Sequence, residues 1–288
     1  MESPSARLDL SQYPTPPTQL LTASTGWSAL NLGEVWQSHE LLFSLAWRDL
    51  RARYKQTVLG AVWVVAQPLM GAAVYSFVLA LVAGLRAPEG MPYFLFVFAG
   101  VVAWNGFATV LTRSSGALVG NSVLVSKIYF PRLVLPAAAA FTVLVDFLVA
   151  LGVLAVMVIA FWHPPGWQVL LMPVCVLLLG ALALGLGLCA AAVAVSYRDV
   201  LFVLPVFSQF LMWGSAVLFP MERVPAKFAT VLYLNPVVSL IEAFRWSVLG
   251  AGQVKWGYFA YSAAFAAVVL LCGAFAFRRM EKRFADVI

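Results

Sequence analysis

Charge is scarce in this sequence. Asp, Glu, Lys and Arg make up 10% of its 288 residues, where a soluble domain carries about a quarter. Hydrophobic residues make up 63% and the mean hydropathy is +0.93. A water-soluble domain is thereby excluded and an integral membrane protein indicated. Histidine is nearly absent: His39 and His163 stand far apart, which leaves no basis for a histidine-based metal or nucleophile site. The three cysteines, Cys175, Cys189 and Cys272, fall inside apolar runs without partners at ligand spacing. They form neither a disulfide framework nor a metal site. No lysine follows a glycine anywhere, so the phosphate-binding G-x-x-x-x-G-K-[ST] loop is missing. No cofactor is expected on this chain, and any ATP and Mg must be bound by another. Clustered acids are missing as well, and the charged pairs that remain, such as Arg198-Asp199 and Glu222-Arg223, are scattered, which argues against a transferase; no catalytic residue is expected. The spans lack the strings of acids of an ion-coupled carrier, and no internal repeat supports an inverted-repeat architecture. Residues 1–30 contain no apolar core segment, so a cleavable signal peptide is not expected.

Long apolar runs are what the chain has in abundance. Six membrane spans are predicted, at residues 58–85, 93–111, 133–161, 169–195, 200–219 and 257–277, each near the ~20 apolar residues that cross a bilayer core. Residues 1–30, polar and proline-rich (SQYPTPPTQ), predict a flexible cytoplasmic arm. The net charge of +6 sits beside the spans, where it orients them, so nucleic acid is not an expected partner. Arg48, Arg51, Arg53 and Lys55, then Arg113, Lys127 and Arg132, then Arg278, Arg279, Lys282 and Arg283 all fall on one side. The positive-inside rule places that side, with both termini, in the cytoplasm.

The stretch at residues 43–68, FSLAWRDLRARYKQTVLGAVWVVAQP, starts charged and turns apolar. Phe43, Ala46, Trp47, Leu50 and Tyr54 recur at helical spacing and predict one apolar face. Arg48, Arg51 and Lys55 share the neighbouring face, and Asp49 stands four residues before Arg53, a favourable ion-pair spacing. Such a helix lies flat at a membrane surface, its basic face serving either as an orientation flag or as a docking surface. The chain turns inward at Leu59-Gly60, the expected hinge.

Three further features are placed by pattern. Residues 220–253 are apolar but interrupted. Asn235 caps a helix beginning at Pro236 and ending at Gly250, after a shorter piece from Pro225 to Leu234. Two short helices that dip into the outer leaflet and return are predicted; an amphipathic external hairpin without a gating role is the alternative. Trp63, Gln67, Gly71 and Tyr75 on the first span, and Pro205, Ser208, Gln209 and Met212 on the fifth, form polar and aromatic stripes. They either glue helices together or line a path suited to sugars, extended by Trp104, Phe107, Phe94 and Phe98. Asp146, the one carboxylate well inside a span, reads first as paired with a basic or hydroxyl group in the bundle, with a transport role as the alternative.

Five blocks in order, RDLRARYKQTVLGAVWVVAQP, MPYFLFVFAGVVAW, GNSVLVSKIYFPRLVLP, YRD at Tyr197 to Asp199, and LNPVVSLIEAFRWSVLG, closely resemble the permease subunits of type-2 ABC exporters. The polysaccharide exporters, which move O-antigen, capsule-like polymers or teichoic acid, are the most similar group. The resemblance implies an all-α integral membrane protein: an amphipathic interface helix region at 31–57, a six-span transmembrane domain at 58–288, and a re-entrant hairpin between the fifth and sixth spans. It also implies a homodimer in the bacterial inner membrane, served by two cytoplasmic ATPase subunits and moving a polymer built on a polyprenyl diphosphate lipid. On that basis ATPase coupling is expected at Arg48, Asp49, Arg51, Arg53 and Lys55, with Asn121, Lys127 and Arg132 around a coupling helix at 114–127. The translocation path is expected at Trp63, Gln67, Tyr75, Trp104, Phe107, Ser208, Gln209 and Met212. The external gate is expected at Glu222, Arg223, Asn235, Pro236, Glu242 and Arg245. Relatives often carry a serine-proline pair near Ser215-Ala216, which this chain lacks, so the helix break there is open. A drug or small lipid is the rival cargo.

Overall fold

The computed structural model describes residues 33, 37–55, 60–128, 130–162 and 166–287, with backbone alone at 60, 61, 89 and 282–287. Among these residues there are α-helices and short 3-10 turns and no strand. In chain order the helices are α1 (His39–Lys55), α2 (Gly60–Val82), α3 (Tyr93–Gly120), α4 (Ser122–Lys127) and α5 (Val134–Ala160). They continue as α6 (Met172–Ala194), α7 (Val200–Trp213), α8 (Ala226–Tyr233), α9 (Pro236–Leu249) and α10 (Trp256–Val287).

α3 is the hub. Nearly three-quarters (72%) of its most apolar stretch is buried, against 17–28% for the other long helices, whose open faces suit lipid or another protein. α2, α5, α6 and α7 pack around it. Two large apolar cores result, besides a small one of Ala216, Met221, Tyr233 and Val238. The larger fills the middle and the far end of the bundle and includes Phe98, Phe107, Phe147, Leu154, Leu182, Leu240 and Phe244. The smaller lies at the end carrying the basic residues. It joins Leu45 and Ala46 of α1 to Leu118, Val125, Phe130, Leu135, Leu188 and Phe277.

Five helices are long and apolar enough to cross a membrane, and α8 with α9, bent by 99°, passes the same test as a pair. The all-α membrane architecture expected from the sequence is therefore present, with two changes of boundary. The expected fifth span, 200–219, is helical only to Trp213. Its 14 residues reach about 21 Å at 1.5 Å per residue, short of the roughly 30 Å hydrocarbon core. The chain unwinds after Gly214, and Ala216 takes a left-handed φ of 52°, which no continuing helix tolerates. The second boundary concerns 114–127. Ser114 to Gly120 are the last turns of α3, and only Ser122–Lys127 forms a separate short helix.

In lipid, helices associate by close packing more than by the hydrophobic effect, and α6 crosses α10 with glycine against glycine. A β-carbon on Gly273 would collide with the Gly185 carbonyl, and one on Gly185 would lie 2.7 Å from the Leu270 backbone. Gly273→Val is expected to cost about 1–3 kcal/mol by overpacking, read as a lower thermal midpoint in detergent. Gly180→Ala, with nothing within 4 Å of its added β-carbon, is expected to leave the midpoint in place.

Candidate functional site

Two clusters stand at opposite ends of the bundle. At the basic end, α1 lies along α5, with Leu45, Ala46 and Leu50 buried. The expected apolar face is therefore rotated. Ala46 and Leu50 belong to it, but Trp47 is more than half exposed and Phe43 meets Phe141 only edge-on, at 5.1 Å. The broad stripe of an amphipathic helix leaves its rotation to the neighbour it packs on, here α5.

Arg48, Arg51 and Lys55 remain exposed, as their shared face requires. Arg48 donates to Asn121 Oδ1 (2.9 Å) and pairs with Asp49 (2.8 Å). Asn121 in turn donates from Nδ2 to the Ala117 carbonyl (2.9 Å), closing the end of α3. Arg51 lies over the Trp47 ring at 5.3 Å. The expected Asp49–Arg53 pair is not formed: Asp49 takes Arg48, and Arg53 takes Asp146. Tyr54 also donates to Asp146, at 2.8 Å. Burial, and then this hydrogen bond to a carboxylate, raise the Tyr54 phenol above its ordinary range, so it stays a donor at neutral pH. Asp146 is thus the structurally paired group that its position suggested. Lys127 is exposed at the end of α4, and Arg132 is tied to Glu281 of α10. Of the expected hinge, Gly60 opens α2 and Leu59 lies outside the described residues.

At the far end, the local sequence signals act as expected. The Asn235 carboxamide accepts from the Val237 amide (3.1 Å), Pro236 opens α9, and Gly250 closes it at φ 69°. Asn235 also donates to the Gly214 carbonyl (3.2 Å) and Ser215 Oγ (2.9 Å), fastening the hairpin to the unwound end of α7. Arg245 is fully inside the protein. It donates to the carbonyls of Ala216 (3.0 Å) and Val217, and its guanidinium lies 4.0 Å over the Phe96 ring. Tyr93 donates to the next carbonyl, Leu218. Glu242 accepts from Tyr233 (2.6 Å), whose ring carries Lys255 Nζ at 4.5 Å and stacks on Tyr258. Glu222 and Arg223 form an exposed 3-10 turn. Gly100 was not singled out in the sequence. It faces Arg245 and the Val217 carbonyl so closely that any β-carbon there would clash. Its only sequence signal is a glycine amid large apolar residues in the block 91–104.

The expected path residues divide. Trp63, Gln67 and Gln209 are exposed, and Tyr75 meets Trp213 edge-on at 6.1 Å, joining α2 to α7. Trp104 and Phe107 are 3% and 1% exposed, and Ser208 and Met212 are also buried. These four pack the interior of this chain rather than line a surface, because α3 is the hub and α7 turns that edge towards it.

The chain is similar to known membrane transport proteins. The O-antigen export system permease protein RfbA of Myxococcus xanthus is 31% identical over 214 residues, 74% of this chain and 81% of that one. A protein of the same name from Klebsiella pneumoniae is 24% identical over 90% of this chain and 97% of its own. The polysialic acid transport protein KpsM of Escherichia coli is 25% identical over 82% and 91%. Residues 40–249 match the ABC-2 type transporter family, an interval that takes in all but the first residue of α1 and the whole far-end hairpin, and the chain belongs to that family of membrane proteins.

Proposed function

We propose that this chain is the permease subunit of an ATP-driven exporter that moves a polyprenyl-diphosphate-linked, O-antigen-like polysaccharide across the bacterial inner membrane. The observation that carries the reading is the similarity to O-antigen export permeases over nearly the whole length of both chains. The chain makes no catalytic contribution. Two cytoplasmic ATPase subunits bind the ATP and Mg, and both termini of this chain lie on their side.

A second copy completes the pathway. α2 and α7 leave Trp63, Val74, Phe77, Phe207 and Phe210 exposed, a face open to a second copy, and a closed two-fold pair encloses one path. Trp63, Gln67 and Gln209 offer rings and amides to sugars passing between the copies. The exposed basic face of α1, joined to the α3–α4 turn by Arg48 and Asn121, receives the ATPase. The hairpin α8–α9 is the outer gate.

Arg48→Glu is expected to break the link to Asn121 and to lower polymer-stimulated ATPase activity and export by about fivefold or more, the lower range of measured coupling between sites. Arg51→Glu acts in the same direction through docking. Insertion and expression are expected to be normal; unchanged export and ATPase stimulation would refute the coupling surface. Deleting the gene and staining surface polymer tests the cargo. Polymer lost from the surface and restored by the intact gene supports this reading, whereas a drug or small-lipid exporter leaves the polymer intact.

A further inference from the structure

α10, like the hub α3, touches both clusters. It is a continuous helix of 32 residues, about 48 Å long at 1.5 Å per residue. At the basic end it meets the segment following α4 through a reciprocal pair. The Arg132 amide donates to Glu281 Oε1 (3.1 Å), and the Arg132 guanidinium donates to the Glu281 carbonyl (2.8 Å). Each side chain grips the other residue's backbone, which fixes both the position and the rotation of the helix end. Ala274 and Phe277 add apolar contact, sharing a core with Val125 of α4 and with Phe130.

The other end of α10 lies on the hairpin. Tyr258 stacks on Tyr233 of α8, with centroids 4.5 Å apart and planes within 10°. The Tyr261 hydroxyl donates to the Leu234 carbonyl (3.2 Å), at the bend between α8 and α9, and Trp256 meets Trp246 of α9 edge-on at 6.0 Å. Between its ends α10 rides on α6 with Gly273 against Gly185 and no side chain interposed. A displacement of Arg132 therefore reaches the hairpin bend along one unbroken helix.

We propose that α10 is a rod carrying movement of α4 to the outer hairpin, and that Arg132 and Glu281 are the positioning residues through which it is driven. The claim rests on the reading above, in which the ATPase docks on the basic face of α1 and its motion passes through Arg48 and Asn121 to the α3–α4 turn and so to α4. Its consequence is that loosening the pair uncouples the hairpin while ATP is still hydrolysed.

The test uses the full chain with its ATPase partner in vesicles, Cys175, Cys189 and Cys272 replaced by alanine. Thr230→Cys reports from the exposed side of α8, and Arg86→Cys, in the exposed link between α2 and α3, is the control. The rate of modification by a membrane-impermeant maleimide is measured with and without ATP. Glu281→Ala is expected to reduce the ATP-dependent change at position 230 by about fivefold or more, with ATP hydrolysis and the rate at position 86 unchanged. Glu281→Gln keeps an oxygen acceptor for the Arg132 amide and is expected to restore the response. The proposal is overturned if Glu281→Ala keeps the full response, if Glu281→Gln fails equally, if position 86 moves with 230, or if the parent shows no ATP response at 230. A parent that responds at 230 but carries no polymer would refute the cargo reading and leave the rod standing.

Discussion

Arg245→Ala is expected to destabilise the protein by about 4 kcal/mol, with two carbonyls losing a buried donor at about 1–3 kcal/mol each. Export is expected to fail with it. The reason lies in the chain after α7. Once Gly214 ends that helix, the carbonyls of Ala216, Val217 and Leu218 have no amide one turn on to accept from. Arg245 serves two of them and Tyr93 the third. A planar fork with fixed donors does this where a lysine, a point charge on a flexible stem, does not. Arg245→Lys is therefore expected to fall between the parent and alanine, while Arg245→Met keeps the bulk over Phe96 but strands the carbonyls. Thermal midpoints in detergent give the order: parent, lysine, then methionine and alanine. If methionine melts with the parent, the guanidinium is a passenger in the hairpin and not its clamp. Gly100→Ala is expected to resemble Arg245→Met in direction, since its β-carbon takes the space the guanidinium occupies.

That clamp marks the boundary between what the sequence discloses and what it does not. The hairpin itself is written locally. Asn235, Pro236 and Gly250 are a cap, a first-turn residue and a left-handed stop, each acting within a few residues of its place in the chain. The end of α7 is not written that way. Residues 214–220 are still mostly apolar, and their unwinding depends on donors 28 and 29 residues later, at Arg245, and on Tyr93, 125 residues earlier. Nearest-neighbour spacing misleads at Arg53 for the same reason: the four-residue rule selects Asp49, and a carboxylate 93 residues away prevails. The path residues divide on similar grounds. Periodicity shows that Ser208 and Met212 share a face of α7, but only the position of α3 decides that this face points inward. The exposure of Arg48, Arg51 and Lys55 was more legible, because it follows from their helical spacing along α1.

Asp146→Ala is the second change expected to have a large effect, and it separates stability from coupling. Asp146 holds α1 against α5 through Arg53 and Tyr54. The Arg53 and Asp146 side chains keep 25% and 14% of their exposure, so the loss is expected near the low end for a broken buried pair, about 3 kcal/mol. Asp146→Asn preserves the shape and an acceptor for Tyr54 and is expected to lose less. The decisive variant is the double one. If the single change harms mainly by leaving a guanidinium without its carboxylate, Arg53→Met with Asp146→Leu will melt above Asp146→Ala, a non-additivity expected of residues in contact. Coupling is expected to behave differently. α1 carries Arg48 to Asn121 and presents Arg51 and Lys55, so a helix no longer anchored at Arg53 transmits less of the ATPase's motion even when the apolar pair has restored the fold. Thermal midpoint recovered in the double variant, with polymer-stimulated ATPase activity still depressed, is the expected result. Recovery of both together would mean that the ion pair serves the fold alone, and that the grip of α1 on α5 does not depend on charge.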